Sequence, residues 1–143
     1  MKQLRVGVVG YCPPSRFDEG EARIRIREAY DKIMADFPDI EIIIVSGLTN
    51  AGVLKLAYEE AKIRNWKTAG VACKKAYNLR DNWFPVDESP IVIGENWGDE
   101  SPAFLRNIEA LVRVGGGKQS FREAEEMKNR KAYVIEYDLP ILG

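Results

Sequence analysis

Four short stretches of the chain, Leu4 to Val9, Glu41 to Val45, Lys67 to Ala72 and Ala110 to Val114, are apolar almost without interruption. A half-exposed strand would alternate polar and apolar residues, so runs of this kind belong to strands covered on both faces. Between them lie segments of a different period. From Asp18 to Asp36 the apolar residues Ala22, Ile26, Ala29, Tyr30, Ile33 and Met34 recur at helical spacing, until Phe37-Pro38-Asp39 ends the segment. After the second run, Ser46 to Asn50 turns the chain into a helix reaching about Arg64, with Val53, Leu56, Ala57 and Ala61 inward and Thr49 or Asn50 as its cap. Buried strands alternating with amphipathic helices predict right-handed crossovers and a mainly parallel sheet.

The remaining elements are less regular. Lys74 to Ser89 has no period, with Trp83-Phe84-Pro85 as an apolar anchor in a loop. Pro90 to Gly94 reads as a short strand, and Glu95 to Glu100 as a polar turn. Ser101 caps a helix reaching Asn107, with Pro102 at its first position. Gln119 to Asn129 is a further helix, and Lys131 to Tyr137 a final strand. The expected fold is a three-layer, Rossmann-like α/β domain with a mainly parallel β-sheet and helices on both faces. It forms one domain over residues 1–143.

Composition excludes several functions. With 21 Lys and Arg against 22 Asp and Glu, the net charge is -1, which gives no general attraction to nucleic acid or an anionic membrane. There is no histidine, so every triad built on imidazole is excluded, and chemistry falls to carboxylates, Lys, Tyr, Ser or Cys. Cys12 and Cys73 have no metal-ligand spacing and cannot form a disulfide framework. No apolar run approaches the roughly 20 residues of a membrane span. The expectation is a soluble cytoplasmic protein without a metal site or required cofactor.

In parallel sheets, ligands gather where strands end and their connections diverge. Three such ends carry small or polar residues: Gly10 to Arg16, Ser46 to Gly52, and Gly115 to Ser120. The last is the most suggestive. Gly115, Gly116 and Gly117 leave room for close approach to the backbone, and the following Lys118, Gln119 and Ser120 open a helix whose free N–H groups suit an anion. The expected ligand is a nucleotide or nucleotide-derived phosphate, with Gly10, Tyr11, Ser15, Ser46, Gly47, Thr49 and Asn50 completing the cleft. The same glycines also suit a flexible turn, and strand-to-helix turns use such residues for capping. The dinucleotide fingerprint is absent, because prolines follow Gly10. GGGKQS also lacks P-loop spacing, which argues against Mg-dependent phosphoryl transfer.

These residues resemble the SLOG superfamily, named for the DNA-processing Smf/DprA proteins and the cytokinin-activating LOG proteins, the latter also labelled lysine decarboxylases. The resemblance rests on VGVVGYCPPS, on VSGLTNAGVLKLAYEEAKIRNWKTAGVA from Val45 to Ala72, and on ALVRVGGGKQSFREAE. The last lies where LOG proteins carry PGGxGTxxE. Gly115 stands for the proline, Gly116 and Gly117 keep two glycines, Gln119 replaces the third, Ser120 replaces threonine, and Glu123 falls on the glutamate. The resemblance implies a Rossmann-like nucleotide-binding domain, and a homodimer. It also implies an alternative activity, cleavage of the N-glycosidic bond of nucleoside 5'-monophosphates by a phosphoribohydrolase. That activity pairs the glutamate with an arginine, expected near Glu100, where only Arg106 is close. A DNA-handling role like that of the DNA-processing relatives is opposed by the acidic balance.

Several side chains have two readings. Glu123 is an acid, base or cation stabiliser one turn into its helix, or a first-turn carboxylate complementing the helix dipole. Asp99 and Glu100 contact ribose or base, or cap the next helix. Tyr11 stacks on a base or packs. Lys118 offers a compact positive charge to phosphate. Cys12 is read as an inert thiol, Arg113 as facing solvent or a dimer partner, and Trp66, Trp83 and Trp97 as packing or interface residues.

Overall fold

The computed structural model describes residues 2–142. Six strands form one sheet in the order β4-β3-β2-β1-β5-β6, with every pairing parallel. They are β1 (Gln3–Gly10), β2 (Glu41–Ser46), β3 (Lys67–Ala72), β4 (Ile91–Val92), β5 (Ala110–Val114) and β6 (Tyr133–Tyr137). Between and after them come helices α1 (Glu19–Asp36), α2 (Gly52–Ile63), α3 (Ser101–Arg106) and α4 (Lys118–Asn129).

The unbroken apolar runs are explained by the layers. Leu4, Val6 and Val8 of β1, Ile42 and Ile44 of β2, and Val112 of β5 point into one core with Ile26, Tyr30 and Ile33 of α1 and Leu56 and Ala57 of α2. Their neighbours Val9, Ile43, Val45 and Leu111 point the other way, onto Phe104 of α3 and Ala124 and Met127 of α4. With helices on both sides, both faces of the central strands are mostly apolar, and the polar side chains buried there, such as Ser46 and Arg113, are hydrogen-bonded. The expected three-layer arrangement is therefore present, and the sheet is wholly parallel.

The structure corrects four details. Lys74 to Asn82 forms tight 3-10 turns that meet at a kink at Leu79, so this stretch is not a plain loop. Phe84 does anchor it, stacking on Tyr58 with ring centroids 4.7 Å apart. The cap of α2 is neither Thr49 nor Asn50: Ala51 occupies that position without a side-chain bond, and the Val53 N–H donates to the Tyr11 carbonyl across the cleft. At α3 the cap position is Glu100, and the Ser101 hydroxyl is used elsewhere.

Arg113 is the largest departure. It faces neither solvent nor a partner surface, being 3% exposed. Its Nε donates to Glu136 at 2.7 Å and one terminal nitrogen to Asp138 at 2.6 Å, while the guanidinium lies 3.9 Å from the centre of the Phe121 ring. Its other terminal nitrogen donates to the Gly115 carbonyl at 2.9 Å. The side chain thereby ties the start of the glycine loop to β6, and burial is tolerated because each charge has a partner.

Candidate functional site

Because all strands run the same way, their carboxyl ends share one edge, and a cavity of about 810 Å³ opens there. This is ample for a nucleotide-sized molecule. Gly10, Tyr11, Ser15, Ser46, Gly47, Thr49, Glu100, Gly117, Lys118, Gln119, Ser120 and Glu123 all line it. The loops after β1, β2 and β5 thus meet as expected. Asn50, Asp99, Gly115 and Gly116 lie outside the lining.

The glycines divide by role. Gly115 and Gly116 are buried and adopt positive φ, 63° and 103°, which turns the chain sharply out of β5. A Cβ on Gly116 would lie 2.5 Å from that of Ser120. These two shape the turn and present nothing to the cavity. Gly117 is different. It is exposed, occupies the cap position of α4 in extended conformation, has no side-chain cap bond, and has no heavy atom within 4 Å of where its Cβ would be. Gly117 to Ser120 at the start of α4 line the cavity, and a helix start of this kind carries N–H groups without intrahelical partners and the positive end of the helix dipole. Among the described residues Lys118 is the one cation in the lining.

Other candidates are partly committed to the fold. The Ser46 hydroxyl donates to the Val8 carbonyl at 2.7 Å. Tyr11 donates to the Leu139 carbonyl at 2.9 Å, and its ring stacks on Phe17, so packing rather than base stacking occupies it. Asp99 accepts from the Glu95 and Asn96 N–H groups at 3.1 and 2.8 Å, bracing its own turn. Cys12 sits at the cavity wall, where desolvation pushes its thiol up, in keeping with an unreactive group.

The acidic side is a small network. Ser101 Oγ donates to Glu123 Oε2 at 2.7 Å, and the Gln119 amide lies 3.4 Å from Glu123 and 3.5 Å from Glu100. Glu123 is 5% exposed. Desolvation pushes its carboxyl above the ordinary range and the neighbouring Glu100 adds to this, while the bonds from Ser101 and Gln119 pull the other way. Arg106 is exposed on the last turn of α3 and does not line the cavity, so Glu123 has no arginine partner there.

Sequence reasoning missed the ends of β3 and β4. Val71 and Ala72, Leu79 beyond β3, and Trp97 beyond β4 all line the cavity. The signal was available: in a parallel sheet the connections leaving every strand emerge at the same edge. No group of His, Cys, Asp or Glu among the described residues is arranged to hold a metal ion, and no helix is long and apolar enough to cross a membrane.

The fold and cleft define a Rossmann-like, three-layer α/β protein with a ligand-sized cavity at the carboxyl edge of its sheet. Solved structures share this architecture. The Moco carrier protein from Chlamydomonas reinhardtii superposes with a TM-score of 0.69 at 23% identity, over 94% of this chain and 76% of that one. The molybdenum cofactor binding protein from Rippkaea orientalis gives a TM-score of 0.68 at 17% identity, over 95% and 77%. The structural-genomics protein TM1055 gives 0.67 at 20% identity, over 94% and 72%. At these identities the likeness establishes the fold. The sequence matches no family model and no curated protein.

Proposed function

We propose that this chain is a SLOG-type binding protein that holds a nucleotide or nucleotide-derived phosphate in the cleft at the carboxyl edge of the sheet. One observation carries the reading: the uncapped N-terminus of α4, with Lys118 beside it, opens into a cavity far larger than a bare phosphate needs. The phosphate takes the amides that follow Gly117, and the organic part fills the space walled by the ends of β1, β2 and β3. Fold relatives named for carrying or binding a small-molecule cofactor support a binding role.

A second reading, hydrolysis of nucleoside 5'-monophosphates, draws on Glu123, whose raised carboxyl suits a general acid. The missing arginine weighs against it. Calorimetric titration with AMP, GMP, CMP and UMP, with the molybdenum cofactor as a further ligand, tests binding; chromatography for free base tests hydrolysis. Saturable binding without base release supports the binding protein. Base release abolished by Glu123→Gln would replace it with the hydrolase, and no binding by any of these ligands would refute the proposal.

A further inference from the structure

Trp97 is 55% exposed and Leu79 43% exposed, yet both line the cavity. Neither belongs to the packed clusters of the core. An indole left outside the core usually rides on a loose loop, but this one does not. Its turn is braced by the Asp99 carboxylate on the Glu95 and Asn96 N–H groups, by the Glu100 carboxylate on the Gly98 N–H at 2.8 Å, and by the Lys74 N–H on the Gly94 carbonyl at 2.8 Å. At its far end the turn meets the start of α4, where a Cβ on Gly98 would lie 3.5 Å from the Gln119 side chain. A fixed backbone therefore holds a bare aromatic face at the mouth of a cavity whose phosphate-binding end is one side chain away. The nearby Glu100 carboxylate offers an acceptor to N–H groups.

We propose that Trp97 is the ring platform of this cleft, stacking on the flat nitrogen heterocycle of an organic phosphate whose phosphate lies at Gly117 to Ser120 and whose amino edge faces Glu100, with Leu79 a further apolar side chain of the same cavity. This rests on the binding reading above and narrows it to aromatic-ring phosphates. Stacking tolerates different bases because each has a π-face, so purine and pyrimidine rings are both accommodated.

The test compares AMP and GMP with ribose 5-phosphate, which keeps the phosphate and lacks the ring, by calorimetry on the wild type, Trp97→Ala and Trp97→Phe. Tryptophan fluorescence and size-exclusion chromatography accompany it. The expected result is that AMP and GMP bind at least about tenfold tighter than ribose 5-phosphate and quench the fluorescence. Trp97→Ala erases most of that advantage, Trp97→Phe keeps most of it, and ribose 5-phosphate binds all three proteins alike. If Trp97→Ala retains the ring preference, or weakens all three ligands equally, the platform is refuted while phosphate binding stands. Loss of an oligomer in Trp97→Ala with ligand affinities unchanged would make the indole an interface residue and likewise refute it. Failure of all three ligands to bind the wild type overturns the platform, and if CMP, UMP and the molybdenum cofactor also fail to bind it overturns the binding reading as well.

Discussion

Placing a carboxylate at Gly117 separates a ligand cradle from a plain turn, because stability and binding should move in opposite directions. The position is extended, with φ -97° and ψ -161°, and open, with no heavy atom within 4 Å of an added Cβ, so an aspartate enters without strain. At a helix cap its side chain accepts the Gln119 or Ser120 N–H, an improvement over glycine of a few tenths of a kcal/mol. Its charge complements the helix dipole by about 0.3–1 kcal/mol. The sum, about 0.5–1.3 kcal/mol, raises Tm by about 2–4 °C for a chain of this size. Binding suffers twice. The new carboxylate occupies the amides that a phosphate needs, and it repels the dianion. At about 4 Å each pair of unit charges costs about 1 kcal/mol even in bulk water, so a dianion loses at least about 2 kcal/mol, roughly 30-fold in affinity. Thermal melting in phosphate-free buffer and calorimetry with AMP read the two effects. Gly117→Asn, which caps without charge, should gain stability with a smaller loss of affinity. A higher Tm for Gly117→Asp with unchanged AMP affinity would refute the assignment of the α4 amides to phosphate.

Three further substitutions probe the surrounding structure. Gly116→Ala places a Cβ at φ 103° against Ser120, which should destabilise by about 1–3 kcal/mol in urea unfolding and abolish AMP binding; a stable, binding-competent variant would contradict the shape assigned to this turn. Glu60, 2% exposed, accepts from Arg23 at 2.9 Å and Arg27 at 2.7 Å, joining α2 to α1. Burial pushes its carboxyl up, but the bonds from Arg27 and Arg23 outweigh this and hold it below the ordinary 4.5, so its contribution is present above that pH and lost as pH falls through the folded-state value. Glu60→Gln should cost about 2 kcal/mol at neutral pH, with the gap from wild type closing in acid; a constant gap would show that charge is not the source. Glu123 titrates in the opposite sense. Its folded-state value lies above 4.5, so the native protein loses stability as pH rises from there through the raised value. Urea midpoints of Glu123→Gln should gain on the wild type across that window, and parallel curves would argue against a carboxyl raised by burial.

The strands were legible because both faces are covered: Ile42 and Ile44 serve one core while Ile43 and Val45 serve the other, and this requirement is written directly into EIIIV. Helix α1 was equally plain, since Ala22, Ile26, Ala29, Tyr30 and Ile33 repeat at helical spacing and are buried, although Met34, read on the same face, is exposed. What escaped were contacts fixed by register. Arg113 reads as an isolated charge on an apolar strand until β5 is laid beside β6, which pairs it with Glu136. Its partners stand more than 20 residues downstream, so no local pattern announces them. The helix caps failed for a related reason. Thr49 and Asn50 are good caps by chemistry, but the Tyr11 carbonyl, brought from another loop, meets the N–H of Val53 instead.

The same distinction explains how the cleft could be found without its polarity. Small residues after β1, β2 and β5 mark a place for a ligand, but they do not reveal which way the ligand lies. That follows from two elements meeting in space. The start of α4 supplies amides and Lys118, while Glu123, four residues beyond Gln119 and bonded to Ser101 of α3, combines with Glu100 to make the adjoining wall acidic. On the proposed reading an anion is favoured at one end and opposed at the other, because a second negative group near Glu100 would meet like charge in a partly desolvated site. Hydrogen-bond donors are favoured where the anion is not. A ligand that satisfied both ends would carry its phosphate and its N–H or O–H groups at opposite poles, so the proposed cleft would discriminate by orientation as well as by charge.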